Sequence, residues 1–248
     1  MNFSFNASRF NFWPIYDCIK RFYPLGIKKE LNAFYNSYLG LQELKSIIED
    51  NIHNTAHFNE RWVKFNKVLE EKYEMTPIGT TYGQAPSFSS FIEIDRKQTE
   101  NLTRVKKIHF IVSLLGDFYT VIGEDLSEIK FGDRTIYSTN YYIVSPIAEF
   151  TEYFTFLCSE IESHFLGYRF VPNAIYEQTI EGLHVNYTDD YPGVIFTAIF
   201  NREFYLKRLI LGDKYFKNET WGRSDVDRND EWRIFPPNGD SENITGQE

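Results

Sequence analysis

Apolar positions set two different periods along the chain. Leu31, Phe34, Tyr38, Leu41, Leu44 and Ile48 recur every three or four residues, which predicts a helix over 28–50. Gly40 lies inside it and costs on the order of 1 kcal/mol against alanine. Phe58, Trp62, Phe65, Leu69 and Tyr73 repeat the period and predict a second helix from about Asn54 to Glu74. Asn54 or Thr55 can cap that helix, because a side-chain oxygen there accepts a bond from a free backbone N–H. The short link predicts an antiparallel helical hairpin over 28–75. The stretch from Thr76 to Pro86 holds two prolines and two glycines and reads as a loop.

After that loop the period becomes two. Phe88, Ile92 and Ile94 mark one short strand, and Ile108, Phe110, Val112 and Leu114 alternate in the next. Leu115, Gly116 and Asp117 make a turn, and the chain returns over Phe118–Ile122 as a hairpin. Thr135–Val144 reads as a further strand, for an antiparallel sheet of about four. Pro146 then opens a helix with an apolar stripe of Phe150, Phe154, Leu157, Ile161 and Phe165, ended by Gly167. Residues 170–187 are mixed, with a strand near Ala174–Thr179. From Pro192 to Leu211 two readings stay open. Val194, Ile195, Ala198, Ile199, Leu206, Leu209 and Ile210 fit a helix, which is the favoured reading, whereas the β-branched run from Val194 fits a strand or hairpin.

The expected architecture is one α+β domain over 1–248. An N-terminal helical hairpin packs on the sheet and further helices follow, because a two-helix hairpin alone has too little core. Residues 1–26 form an aromatic segment, with a short strand suggested by the alternation of Phe3, Phe5, Phe10 and Phe12. Sheet and helices fill 87–220, and 221–248 is a polar tail. No apolar run is long enough for a transmembrane helix. The first fourteen residues show no apolar signal core, so a reduced, cytoplasmic setting is expected. Cys18 and Cys158 are the only cysteines. They make no disulfide framework, and Cys158, on an apolar helix face, reads as a buried free thiol.

Composition changes the picture in two ways. Aromatic residues reach 18%, including 17 tyrosines, and partly exposed tyrosine suits protein interfaces. Net charge is −9, which argues against nucleic acid and anionic membrane surfaces as partners. The charge is uneven. Residues 145–200 carry one base, Arg169, against eight acids. An acidic surface favours a basic partner, although acidic faces also simply keep proteins soluble.

His53 and His57 have the i, i+4 spacing of metal ligands, but Asn54 stands where a zinc protease needs glutamate and no third ligand is evident. Asp225, Asp227 and Asn229 fit the start of a calcium loop, which then fails at Asp230 and Pro236. His109, Ser113 and Asp117 could be written as a hydrolytic set. However, four residues of strand separate His109 from Ser113 by roughly 13 Å, and a triad needs contact. Gly79–Gly83 lacks the lysine of a phosphate-binding loop. No catalytic residue, metal or cofactor is expected from these patterns. Paired acids such as Glu149/Glu152, Glu160/Glu162 and Asp189/Asp190 are too common to mark a glycosidase, although aromatic rings could serve as sugar platforms.

Two segments carry a resemblance. Asp117–Gly123 (DFYTVIG) and Gly193–Phe200 (GVIFTAIF), with the size, acidity and aromatic richness of the chain, resemble uncharacterised bacterial proteins grouped with polymorphic-toxin immunity proteins. The resemblance covers about a fifth of the chain. It implies a cytosolic, non-enzymatic binder that blocks a toxin. The acids then become candidate contacts for a basic toxin: Glu149, Glu152, Glu160, Glu177, Glu181, Asp189 and Asp190, with Tyr153, Tyr187 and Tyr191 as anchors. Helical spacing places Glu149, Glu152 and Glu160 within one quadrant. Two other classes stay open: an enzyme of unrecognised type, with a carbohydrate-active one among the options, and a structural or phage-derived assembly component.

Overall fold

Helix α1 (Trp13–Phe22) opens the structure, a computed structural model that describes residues 13–190, 192–201, 204 and 209–221. Ile15, Tyr16, Ile19 and Phe22 share its buried face. The aromatic segment is therefore helical from Trp13. The strand expected around Phe3–Phe12 lies outside the described residues, as do Leu206 and the tail beyond Trp221.

The helix expected over 28–50 is interrupted. Only Asn32–Asn36 (α2) and Leu39–Ile48 (α3) are α-helical. Tyr38 between them is extended at ψ 123°, and its hydroxyl donates to the Lys20 carbonyl at 2.7 Å. Leu41, Leu44 and Ile48 are buried as the period demands, but Leu31 and Phe34 are exposed. Gly40 is required by packing. A Cβ there would lie 1.9 Å from the Arg21 carbonyl oxygen, so glycine lets α3 close onto α1.

Helix α3 runs into a π-helical turn at Glu49–His53. Asn54 breaks the helix and caps the next one, its Oδ1 accepting from the Ala56 N–H at 3.1 Å. The second arm runs as α4 (Thr55–Phe58), a π-helical turn at Asn59–Val63 and α5 (Lys64–Tyr73).

The sheet has seven strands, of which four are long. These are β2 (Ser87–Gln98), β3 (Leu102–Ser113), β4 (Phe118–Phe131) and β5 (Arg134–Ile143), each antiparallel to the next. Short β1 (Ile78–Gly79) pairs with β2. Two further short strands are parallel to their partners: β6 (Arg169–Phe170) beside β4 and β9 (Leu209–Leu211) beside β5.

Alternation along the strands gives two apolar faces. Phe88, Ile108, Phe110, Val112, Tyr119 and Val121 belong to one core with Trp62, Phe65 and Leu69 of the second helical arm. Helix α6 (Thr151–His164) adds Phe154, Leu157, Cys158 and Ile161 to it. Ile111 and Ile122 belong to the other core, with α1, Leu41, Leu44 and Ile48 of α3, and much of the chain from Val171 to Phe204. The two arms of the hairpin thus serve cores on opposite sides of the sheet.

Three other expectations change. The helix after Pro146 begins later, with a 3-10 turn at Ala148–Phe150 before Thr151. The strand placed near Ala174–Thr179 is a short helix, α7 (Asn173–Tyr176), followed by β7 (Thr179–Ile180). The helix favoured over 192–211 resolves into β8 (Gly193–Val194), α8 (Ile195–Ile199) and then β9. Every residue of α8 is buried, so one-sided helical spacing was never required there. Among the described residues, no helix is long and apolar enough to cross a membrane.

Candidate partner-binding surface

The acidic candidates separate into two groups on opposite sides of the sheet. The first belongs to α6 and the turn before it. Glu149 forms an ion pair with Lys106 of β3, and it sits on the 3-10 turn, so the helical step that aligned it with Glu152 and Glu160 does not apply. Glu160 accepts from the Tyr73 hydroxyl at 2.7 Å and lies 3.8 Å from Lys72 Nζ, with an 18% exposed side chain. Glu152 alone of this group is exposed without a bonded partner among the described residues. Tyr153 is half-buried and packs against the core. The one-quadrant patch is therefore dissolved by the salt links of two of its three members.

The second group is brought together by the loop between β7 and β8. Glu181 is exposed at its start, and Asp189 and Asp190 are exposed near its end. Glu177 is held outside the loop by Lys214, both carboxylate oxygens lying 3.0 Å from Nζ. Tyr187 is 7% exposed and its hydroxyl donates to the Thr197 carbonyl. It holds the loop down and presents no free ring, which corrects its assignment as an anchor. Tyr191 lies outside the described residues.

Sequence reasoning missed what lies beside this loop. Residues 26–36 run along it and are pinned at three places. The Gly26 N–H donates to the Gly182 carbonyl at 2.8 Å. Lys29 Nζ lies 3.0 Å from Asp189 Oδ1 and donates to the Thr188 carbonyl at 3.1 Å. Tyr35 is 2% exposed and its hydroxyl donates to the His184 carbonyl. Burial raises the Tyr35 phenol above its ordinary pKa, so it remains a donor at neutral pH. With Tyr35 turned inward on the five-residue α2, its neighbour Phe34 is left 71% exposed, and Leu31 is 54% exposed. A groove of about 590 Å³ follows, lined by Lys28, Lys29, Glu30, His184, Thr188, Asp189 and Asp190.

The loop's own shape is locally determined. Thr188 Oγ1 donates to Asp190 Oδ2 at 3.0 Å and receives the Asp190 N–H at 3.2 Å. Gly193 donates to the Leu183 carbonyl at 3.0 Å, and a Cβ on it would lie 2.7 Å from Leu183 Cγ. The result is a surface held at several points: Leu31 and Phe34 are exposed on the segment that carries Lys28, Lys29 and Glu30, and that segment runs beside the loop that carries Glu181, Asp189 and Asp190.

The other concentrated charges are enclosed. On one face of the sheet, His109 Nε2 lies 3.1 Å from Glu124 Oε2, and Lys107 Nζ lies 3.9 Å from the same oxygen. Asn140 Nδ2 donates to Glu124 Oε1. The rings of Phe91 and Phe204 stand 5.4 and 4.8 Å from the imidazole. His109 thus serves a hydrogen bond to a largely buried carboxylate, with no part in a triad with Ser113. His53 and His57 are split by the break at Asn54. His53 bonds the Gly83 carbonyl at 2.8 Å, and His57 bonds the Asp50 carbonyl at 3.0 Å. No group of three metal-ligating side chains occurs among the described residues. The calcium-like run from Asp225 lies outside them.

No protein family, curated protein or solved structure matches this chain.

Proposed function

We propose that the chain is a non-enzymatic protein-binding module, an immunity protein that neutralises a basic toxin by occluding its active site. The observation that carries this reading is Phe34, held 71% exposed on a pinned element beside an acidic loop. A large ring carried on a backbone already held in place leaves only its side-chain freedom to be lost on binding, so its burial converts more efficiently into affinity. Glu30, Glu181, Asp189 and Asp190 around it would speed encounter with a basic partner and reject acidic ones. The groove beside α2 gives a lysine or arginine of that partner room to reach Asp190, and to reach Asp189 by displacing Lys29. Glu152, on the other side of the sheet, would stand outside this contact.

The test is capture from the native host's lysate on immobilised full-length chain, a salt-step elution and mass spectrometry. Phe34→Ala and the double variant Asp189→Lys/Asp190→Lys run in parallel. The expected result is one basic protein, released by salt. Its affinity for the purified chain should fall at least ~10-fold with Phe34→Ala, and its on-rate at low salt should fall with the double variant. A captured protein that both variants bind as tightly as the wild type would overturn the reading. So would the recovery of nothing.

A further inference from the structure

The long strands run beyond both covering layers. Residues past Asp125 in β4, and those of β5 before Tyr142, leave the cores behind. At this far end Leu102, Ile129 and Tyr137 are cross-strand partners, Leu102 opposite Ile129 and Ile129 opposite Tyr137. They form one row on one face, 40%, 38% and 55% exposed. Phe131 and Ile136 flank the turn at 78% and 65% exposed. The turn itself is tight, with Gly132 at φ +58°, a conformation glycine adopts without strain.

Five large apolar side chains in one place are unusual at a strand end, where natural sheets place charge to prevent association. With aromatic side chains spanning ~150–250 Å² each, their exposed fractions sum to about 500 Å² of apolar surface, the upper part of the range for a soluble monomer. The charges around them balance. Asp133 lies in the turn and Arg134 is the cross-strand partner of Phe131, whereas the whole chain carries −9. A basic partner gains nothing here that the acidic loop does not offer better. A second acidic chain, repelled elsewhere, meets no net charge at this end. Both signs are present beside the patch, so a two-fold contact can set Arg134 of one copy against Asp133 of the other. About 500 Å² of apolar surface with its polar rim approaches the ~800 Å² per partner of a standard interface, which places the contact at the weak end of specific association.

We propose that the occupant of this patch is a second copy of the chain, and that two copies form a reversible two-fold dimer through the β4–β5 end of the sheet. The partner surface at α2 stays open on each copy, so the dimer would present it twice. Analytical ultracentrifugation of the full chain from about 1 µM to about 1 mM tests this, beside Ile136→Lys and, separately, Phe131→Ser/Tyr137→Ser. These side chains are exposed, and an unchanged circular dichroism spectrum checks the fold of each variant. The expected result is a monomer–dimer equilibrium in the wild type, weakened at least ~10-fold in both variants. A wild type monomeric throughout overturns the proposal, as does a dimer that both variants leave intact. A monomeric wild type whose captured partner is lost with Ile136→Lys also overturns it, and gives the patch to that partner.

Discussion

Replacing Glu124 by glutamine should remove a stability contribution whose size and pH range follow from its surroundings. The strongest single influence on this carboxyl is burial, which raises its pKa. The His109 bond and charge, the Asn140 bond and the Lys107 charge together outweigh it and lower the value from 4.5 to about 2. The side chain is 14% exposed, so solvent screens these contacts only in part. A carboxyl depressed in the folded state binds its proton more weakly there than when unfolded. Its contribution is therefore complete above the unfolded value, 4.5, and disappears as pH falls through the folded value, about 2. At ~1.4 kcal/mol per pH unit the difference amounts to about 3 kcal/mol. Urea unfolding of wild type and Glu124→Gln over this range is the assay. The wild type should be more stable by up to about 3 kcal/mol near neutral pH, and the gap should close on acidification. A gap that stays constant down to the lowest pH would refute the electrostatic account, and equal stabilities at neutral pH would refute it outright.

Two further outcomes are expected. Trp62 is 1% exposed and stacks on Phe88 at 5.4 Å, with Phe65, Phe110 and Phe165 around it. Trp62→Ala should lower the urea-unfolding free energy by about 3–5 kcal/mol, and a loss below ~1 kcal/mol would mean that the ring cluster is not formed. Burial pushes the thiols of Cys18 and Cys158 up to about 12. Both should resist a thiol reagent at mildly alkaline pH in the native protein and react once it is denatured, whereas fast labelling of either in the native state would contradict its burial.

The parts of the fold legible in the sequence were those with one buried face. Trp62, Phe65 and Leu69 needed an apolar neighbour and found the sheet, and the alternation from Ile108 to Val112 marked β3. Its far end, from Leu102, lacks that alternation because no layer covers it. The region after Val171 was illegible for the opposite reason. Ile175, Ile180, Leu183, Val185 and Ile195 are all fully buried, and residues covered on every side show no period. Leu31 and Phe34 fitted the helical spacing of their neighbours, yet the break at Tyr38 turned them outward. Asn36 and Ser37, weak helix formers just before that break, were the available signal. Of the candidate acids, charge alone could not separate those committed to a lysine, such as Glu149 and Glu177, from those left at the surface. That depends on which strand or loop brings the cation, a long-range matter that local sequence does not encode.

The helical hairpin that serves both sides of the sheet has a consequence for how the chain can be divided. Its two arms are joined at Asn54, yet Leu44 and Trp62 enter different cores. A cut in the loop before β2 would release a fragment whose second arm, with Trp62, Phe65 and Leu69, has lost the core it belongs to, and would strip both sides of what remains. The N-terminal quarter is thus not a detachable module but a bracket over the sheet's rim. Recombination or truncation there removes two supports at once.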